Sequence, residues 1–261
     1  MSSSFVLPAR RLLAASVMAA AAACASPAGA QDAPAILKAM SSYVASQKNI
    51  SLTYDTEIEV VTPQVQKIQF DSSGQLSLSR PDKIRATRTG GYADVELVSD
   101  GSAVSLLGKH ANLYAQADLK GSIDEVVDQL RSRGADLPAA DLLGADPFSA
   151  LMDGVIEAAH IGRGVVDGVE CEHLAFRNAD VDWQLWVQAG DRPIPRKYVI
   201  TSKAVGGSPQ YTIRIKDWKT DVAFGPDAFA FKAPAGANKV DLAKLGDFDE
   251  VPAGALSAAK K

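Results

Sequence analysis

The sequence predicts a mainly β protein with α: one long antiparallel sheet of about eleven strands, covered by an N-terminal helix and a helical insertion. Three observations predict it. Apolar and polar residues alternate with period two in one segment after another, the mark of pleated strands with two different sides. Short turns of Gly, Pro, Asn and Asp separate those segments, and short reverse turns make neighbours antiparallel. Two stretches follow helical spacing instead, each opened by a capping residue.

Residues 1–30 read as a secretory signal peptide rather than as part of the fold. Arg10 and Arg11 precede a short apolar run, Leu12 to Ala23, and Ala28-Gly29-Ala30 offers a cleavage site after Ala30. The run is too short to span a bilayer, which takes about 20 residues. Cys24 after three alanines is a weak lipoprotein signal, and the arginine pair is a loose twin-arginine signal. Ordinary export is the expectation, with each of these as an alternative.

The chain carries 27 Lys and Arg against 31 Asp and Glu, and Arg10 and Arg11 leave with the leader. What remains is acidic, without a basic block, so a nucleic-acid partner is not expected. Cys171 is the one cysteine beyond the leader, so the fold has to stand on its core without an internal disulfide.

Asp32-Ala33-Pro34 opens a helix whose stripe is Ile36, Leu37, Met40, Tyr43 and Val44. Ile50 to Thr62 then places Leu52, Tyr54, Ile58 and Val60 on one face. Gln64 to Arg80 keeps one phase through Ile68, Phe70, Leu76 and Leu78, with Asp71 and Gly74 read as a bend or bulge. Lys83 to Thr89, Ala93 to Ser99, Ala103 to Leu107 and Asn112 to Ala117 complete a six-strand meander. Between Gly121 and Gly154 the spacing turns helical: Ser122 to Glu125 is a capping box, and Ile123, Val126, Val127 and Leu130 form a stripe. Leu142-Leu143 and Phe148 to Met152 read as short helices. The insertion is too short to bury its own core, so a cover over the sheet is expected.

Strands resume at Ile156 to Val166 and Val169 to Arg177. Three more follow, around Val181 to Val187, Ile194 to Ser202 and Gln210 to Trp218, and Phe229 to Phe231 reads as a last short one. Residues 31–245 form one domain on this reading, and 246–261 a loose tail.

The closing Phe229-Ala-Phe231-Lys-Ala-Pro234-Ala-Gly236-Ala stretch resembles that of the LolA/LolB-like lipoprotein-carrier superfamily, with Ala233 where those proteins have proline. Further residues resemble domain-of-unknown-function family 2092, predicted periplasmic proteins. They are Asp167-Gly-Val-Glu-Cys171-Glu-His173, Asp182-Trp183-Gln-Leu-Trp186, Arg192-Pro-Ile-Pro-Arg-Lys197 and Gly207-Ser-Pro-Gln-Tyr211. The resemblance implies a half-open antiparallel β-barrel with helices in its mouth, and a periplasmic location. It implies no activity.

The candidate chemistry is thin. Cys171 and His173 share a strand face and could share a metal or form a nucleophile pair, but the bland reading is a buried thiol beside a hydrogen-bonded histidine. Asp180 and Asp182 could pair with another acid as a glycosidase-like couple. The bland reading pairs them with Arg192, Arg196 or Lys197 across the turn. No catalytic residue, metal or cofactor is therefore assigned. The expected function is a non-enzymatic periplasmic binder or carrier of an apolar or amphipathic ligand, such as a lipid or acyl chain. Tyr54, Ile58, Phe70 and Leu78 would line its site from the sheet, with Met40, Leu130 and Phe148 from the helices. Trp183 and Trp186 are candidate ligand residues too; they fall on opposite faces of one strand, Trp183 with the apolar side, where core packing is the bland reading, and Trp186 as the open question. The alternatives are an envelope protein-interaction or sensing module without lipid, and third a Cys/His metal-dependent enzyme.

Overall fold

The computed structural model describes residues 32–241. The expected leader with Cys24, and the expected tail, lie outside the described residues.

Helix α1 (Ala33–Ser46) begins where Asp32 accepts from the Ala35 N–H at 2.8 Å, with Pro34 in its first turn. Its C-terminal carbonyls are met by Arg80, which donates to Gln47 O at 3.1 Å and to Val44 O at 3.4 Å. Burial lowers the Arg80 pKa, with Asp124 acting in the opposite direction.

Six strands follow as a meander: β1 (Asn49–Val61), β2 (Lys67–Ser79), β3 (Lys83–Gly90), β4 (Asp94–Asp100), β5 (Val104–Gly108) and β6 (Leu113–Ala117). A second meander holds β7 (Glu157–Val166), β8 (Val169–Arg177), β9 (Val181–Gln188), β10 (Pro195–Ser202) and β11 (Gln210–Thr220). The two join where β1 pairs antiparallel with β11. A two-residue strand, β12 (Asn238–Lys239), pairs parallel with β6 and completes a twelve-stranded sheet. Its order is β12-β6-β5-β4-β3-β2-β1-β11-β10-β9-β8-β7. Its two ends do not pair with each other, so the fold is a half-open antiparallel barrel.

One face of the sheet, here the inner face, carries the core. Leu52 and Leu78 from the first meander meet Leu174, Leu185 and Ile215 from the second, under Leu37 and Met40 of α1. Each such side chain, fully buried, contributes about 1.5–3 kcal/mol of transfer free energy. A second cluster, Val104, Leu119, Val126 and Leu130, lies at the β4–β6 side.

Three local expectations are corrected. Register between β1 and β2 is unbroken from Asn49↔Ser79 to Val61↔Lys67, so Gly74 marks no bulge. Gly74 instead leaves room for its cross-strand partner Tyr54, whose ring carbon lies 2.3 Å from where a Cβ would be. Phe229 to Phe231 is not a strand; β12 is the last one among the described residues. The Phe-Ala-Phe stretch crosses the outer face, where Arg85 donates to Ala230 O at 2.7 Å and Phe231 packs on Tyr114. Asp182 pairs with Lys203 at 2.8 Å and Arg177 at 3.3 Å, rather than with basic residues of the 192–197 turn.

Candidate functional site

The chain must pass from β6, near one end of the sheet, to β7 at the other. The segment 121–154 makes that crossing over the inner face. It contains α2 (Ile123–Arg131), a 3-10 turn (Ala140–Leu143) and α3 (Pro147–Met152).

The local chemistry of this cover is self-contained. Ser122 and Glu125 close a capping box: the Ser122 N–H donates to Glu125 Oε2 at 2.7 Å, and the Glu125 N–H to Ser122 Oγ at 3.3 Å. The same bond from the Ser122 backbone holds the Glu125 carboxyl below its ordinary pKa. Arg131 pairs with Asp141 at 2.8 Å, and the Ala145 N–H donates to Asp124 at 3.0 Å. Asp146 caps α3 by accepting from the Ser149 N–H at 3.1 Å. Bonds to the rest of the molecule sit at the ends. The Ile123 N–H donates to Pro81 O at 2.9 Å, and Asn178 Nδ2 to Asp153 O at 2.8 Å. Between those ends the cover meets the core through buried Leu142 and Leu151 and half-buried Val127, Leu143, Phe148 and Met152. Both flanking glycines have left-handed backbone, Gly121 at φ 133° and Gly154 at φ 66°, conformations that glycine adopts without steric cost.

The sequence-predicted site residues divide into three groups. Met40 and Leu78 are sealed core, and Leu130 belongs to the smaller cluster under α2. Trp183 is also buried on the inner face, stacked on Phe176 at 3.9 Å and edge-on to Tyr198 at 5.7 Å, its indole N–H donating to Asn178. Half-buried residues form the second group. Phe148 packs on the core with Lys38 Nζ 5.8 Å from its ring centre. Tyr54 crosses Gly74 to donate to Thr87 O at 2.9 Å. Ile58 faces Phe70 across β1 and β2, beyond the sealed part of the core.

Trp186 stands apart on the outer face. Its cross-strand partners are His173 on β8, stacked at 4.1 Å, and Lys197 on β10, with the ammonium 4.9 Å from the ring centre. Gly164 lies close beneath, where a Cβ would be 3.4 Å from the indole nitrogen. Burial, then the neighbouring Arg214, lowers the Lys197 pKa. Trp186 is thus one rung of an outer-face ladder.

Cys171 is fully buried, its thiol 3.4 Å from Val169 O, and burial raises its pKa. His173 bonds Gln184 at 2.9 Å. Thiol and imidazole therefore have separate partners. Among the described residues no group of three or more His, Cys, Asp and Glu is placed to hold a metal ion. A shallow groove of about 480 Å³ across β1–β3 is polar, and of its carboxylates Asp55 is engaged by Lys216 and Ser73.

Sequence reasoning set Gly121 and Gly154 as the limits of the insertion but gave their backbone no role. It also missed Tyr92, which meets Phe70 edge-on at 5.6 Å; a lone tyrosine beside Gly90-Gly91 reads as an ordinary turn residue.

Among solved structures, an uncharacterized conserved protein from Thermus thermophilus is 10% identical, with a TM-score of 0.48 over 79% of this chain and 96% of that one. Mycobacterium tuberculosis lipoprotein LppX is 14% identical, with a TM-score of 0.43 over 74% and 99%. A LolA superfamily protein from Nitrosomonas europaea is 10% identical, with a TM-score of 0.32 over 77% and 99%. No curated protein sequence matches the chain. No helix among the described residues is long and apolar enough to cross a membrane. The predicted periplasmic protein family DUF2092 matches residues 33–243. The chain therefore belongs to this family of periplasmic proteins, as the residues around Trp183 and Trp186 had implied.

Proposed function

We propose that the protein is a non-enzymatic periplasmic binder or carrier of an apolar or amphipathic ligand, such as a lipid or acyl chain, taken up between the cover and the inner sheet face. One observation carries the reading. Among the described residues the cover's hydrogen bonds are internal except at its two ends, and between them it meets the core by apolar packing, with Lys38 over the Phe148 ring and Arg80 near Asp124 as its polar contacts. Lifting it strands few polar groups, and an alkyl chain entering beneath it replaces one apolar contact by another. Gly121 and Gly154 provide the pivots. Half-buried Tyr54, Phe148, Ile58 and Phe70 would be the first side chains to touch the ligand.

The test has two parts. Mild organic extraction of protein purified from its native host should release a stoichiometric lipid. Dansyl-undecanoic acid should bind the emptied protein with enhanced fluorescence. An empty protein that also ignores the probe would rule the reading out.

A second reading, an envelope interaction module without lipid, is favoured by β7. This strand ends the sheet and exposes Ile161 and Val165, and an open strand edge can pair with an extended partner segment. Periplasmic cross-linking that captures one protein, together with a lipid-free preparation, would support it.

A further inference from the structure

We infer that the open end of the half-barrel docks on a lipid bilayer through an apolar rim of hairpin tips. Four large apolar side chains stand out from this end: Val65 at 69% exposure, Tyr92 at 59%, Val205 at 49% and Ile68 at 37%. They come from three separate hairpins, β1–β2, β3–β4 and β10–β11, whose tips lie at the same end of the sheet. Tyr92 meets Phe70, Phe70 faces Ile58, and Ile68 faces Val60. The β10–β11 turn closes on the β1–β2 hairpin at Gly207, where a Cβ would be 3.0 Å from Val61, and Lys67 donates to Ser208 O at 3.3 Å. Tyr92, Phe70, Ile58, Ile68 and Val60 thus link the half-buried inner face to the first two tips, and the third tip lies beside the β1–β2 hairpin.

Val65 is the sharpest sign. Its φ is 63°, a left-handed conformation that Asn or Gly adopts readily and a β-branched residue does not. An exposed valine there is costly twice over, in backbone strain and in hydration. A tip that enters an apolar phase would regain the second cost.

A bilayer fits this rim better than a protein does. Several backbone groups of the tips are paired within their own turns: Thr62 N–H to Gln66 O at 2.9 Å, Val65 N–H to Thr62 O at 2.8 Å, Gly90 N–H to Ala93 O at 2.8 Å and Ser208 N–H to Val205 O at 2.9 Å. Internal pairing is what an apolar phase demands, and it leaves a partner chain little to bond. Tyr92 suits the headgroup boundary, with an apolar ring and a polar tip. Lys67 and Lys203 stand just behind, each with an acidic partner, Glu59 at 2.9 Å and Asp182 at 2.8 Å. The attraction is thus apolar, with little dependence on anionic lipid or salt. It concerns the rim alone, whether or not the cover admits a ligand.

Flotation with phosphatidylcholine vesicles tests the inference. The wild-type chain should co-float, and raising NaCl from about 0.1 to 0.5 M should change its partition by less than about twofold. A Val65→Asn, Ile68→Ser, Tyr92→Ser triple variant should partition at least about twentyfold more weakly. Val65→Asn alone should weaken partition and raise the melting temperature together, because it relieves the strain; a purely structural valine would not move both in opposite senses. Wild-type protein left at the bottom of the gradient, a triple variant that floats equally well, or binding abolished by salt overturns the inference. So does a chain that ignores vesicles but whose triple variant loses a cross-linked envelope protein, an outcome that assigns the rim to a protein partner. Dansyl-undecanoic acid uptake measured without vesicles should be the same in wild type and a Val65→Asn, Ile68→Ser double variant, which leaves Tyr92 and Phe70 in place, so failure of the rim and failure of the carrier are read separately.

Discussion

The C-terminal stretch 221–241 and the cover 121–154 lie against opposite faces of one sheet, and different forces fasten them. The C-terminal stretch is tied by hydrogen bonds along its length. Val222 O accepts from Asn49 at 2.8 Å, Ala230 O from Arg85 at 2.7 Å and Gly236 O from Asn112 at 2.9 Å, and the Val240 N–H donates to Tyr114 O at 2.8 Å. The cover is bonded to its surroundings at its two ends and rests between them on side-chain contact. A hydrogen bond broken in a buried place leaves a desolvated group behind, whereas an apolar contact can be exchanged for another of the same kind. One segment is fastened as part of the barrel wall, and the other is fastened as the proposed lid would be.

Four perturbations sharpen the contrast, from the largest expected effect to the smallest. Arg85→Ala should cost about 2–3 kcal/mol of global stability, since it leaves Ala230 O and the half-buried Glu96 carboxylate without their partner. Urea unfolding measures the loss, and probe uptake should not change. Leu142→Ala removes a sealed leucine of the cover, a change that costs about 2–5 kcal/mol in a rigid core. In a lid the loss falls chiefly on the closed state. The global urea transition should move by about 1 kcal/mol, while amides of α2 and α3 exchange faster. A full loss in the global transition would mean that the cover is as fixed as the wall.

Gly154→Ala places a Cβ at φ 66°, 3.2 Å from Asn178 Nδ2, and should strain the closed lid by about 1 kcal/mol. Stopped-flow mixing with the probe should then show faster uptake. Acid is the mildest lever. The Glu125 and Asp146 carboxyls are held below their ordinary pKa by bonds from the Ser122 backbone and the Ser149 hydroxyl. Their contribution is therefore present above the unfolded carboxylate range, near pH 4, and is lost as pH falls through the folded values beneath it. Pepsin at pH 3 should nick 121–154 before it reaches the strands.

Most of the sheet is legible in the residues, because each strand declares itself by period two and each turn by its Gly, Pro, Asn or Asp. Register is not. Asp182 meets Lys203 and Arg177 rather than the 192–197 turn, which depends on how far β9 slides along β10. Gly74 looks like a bulge until the cross-strand Tyr54 is placed over it. The Phe229-Ala-Phe231 alternation imitates a strand, yet its rings serve the outer face without a ladder. For the site, sequence separates the two faces of β9, and Trp183 and Trp186 lie accordingly. It cannot separate sealed inner residues from open ones. Leu78 and Phe70 share one strand and one phase, and only the position of the helices decides that Leu78 is core while Phe70 looks toward the open end.

The central claim is that the cover must lift for the ligand to enter. Lys38 on α1 and Phe148 on α3 are neighbours across the seam, so a Lys38→Cys, Phe148→Cys protein joined by a short, reducible bis-thiol cross-linker pins the cover shut. Uptake of dansyl-undecanoic acid is the measurement. The bridged protein should take up almost none, and reduction of the bridge should restore uptake to the level of the unbridged variant. Equal uptake with the bridge intact would contradict the account, because the ligand would then enter without any movement of the cover.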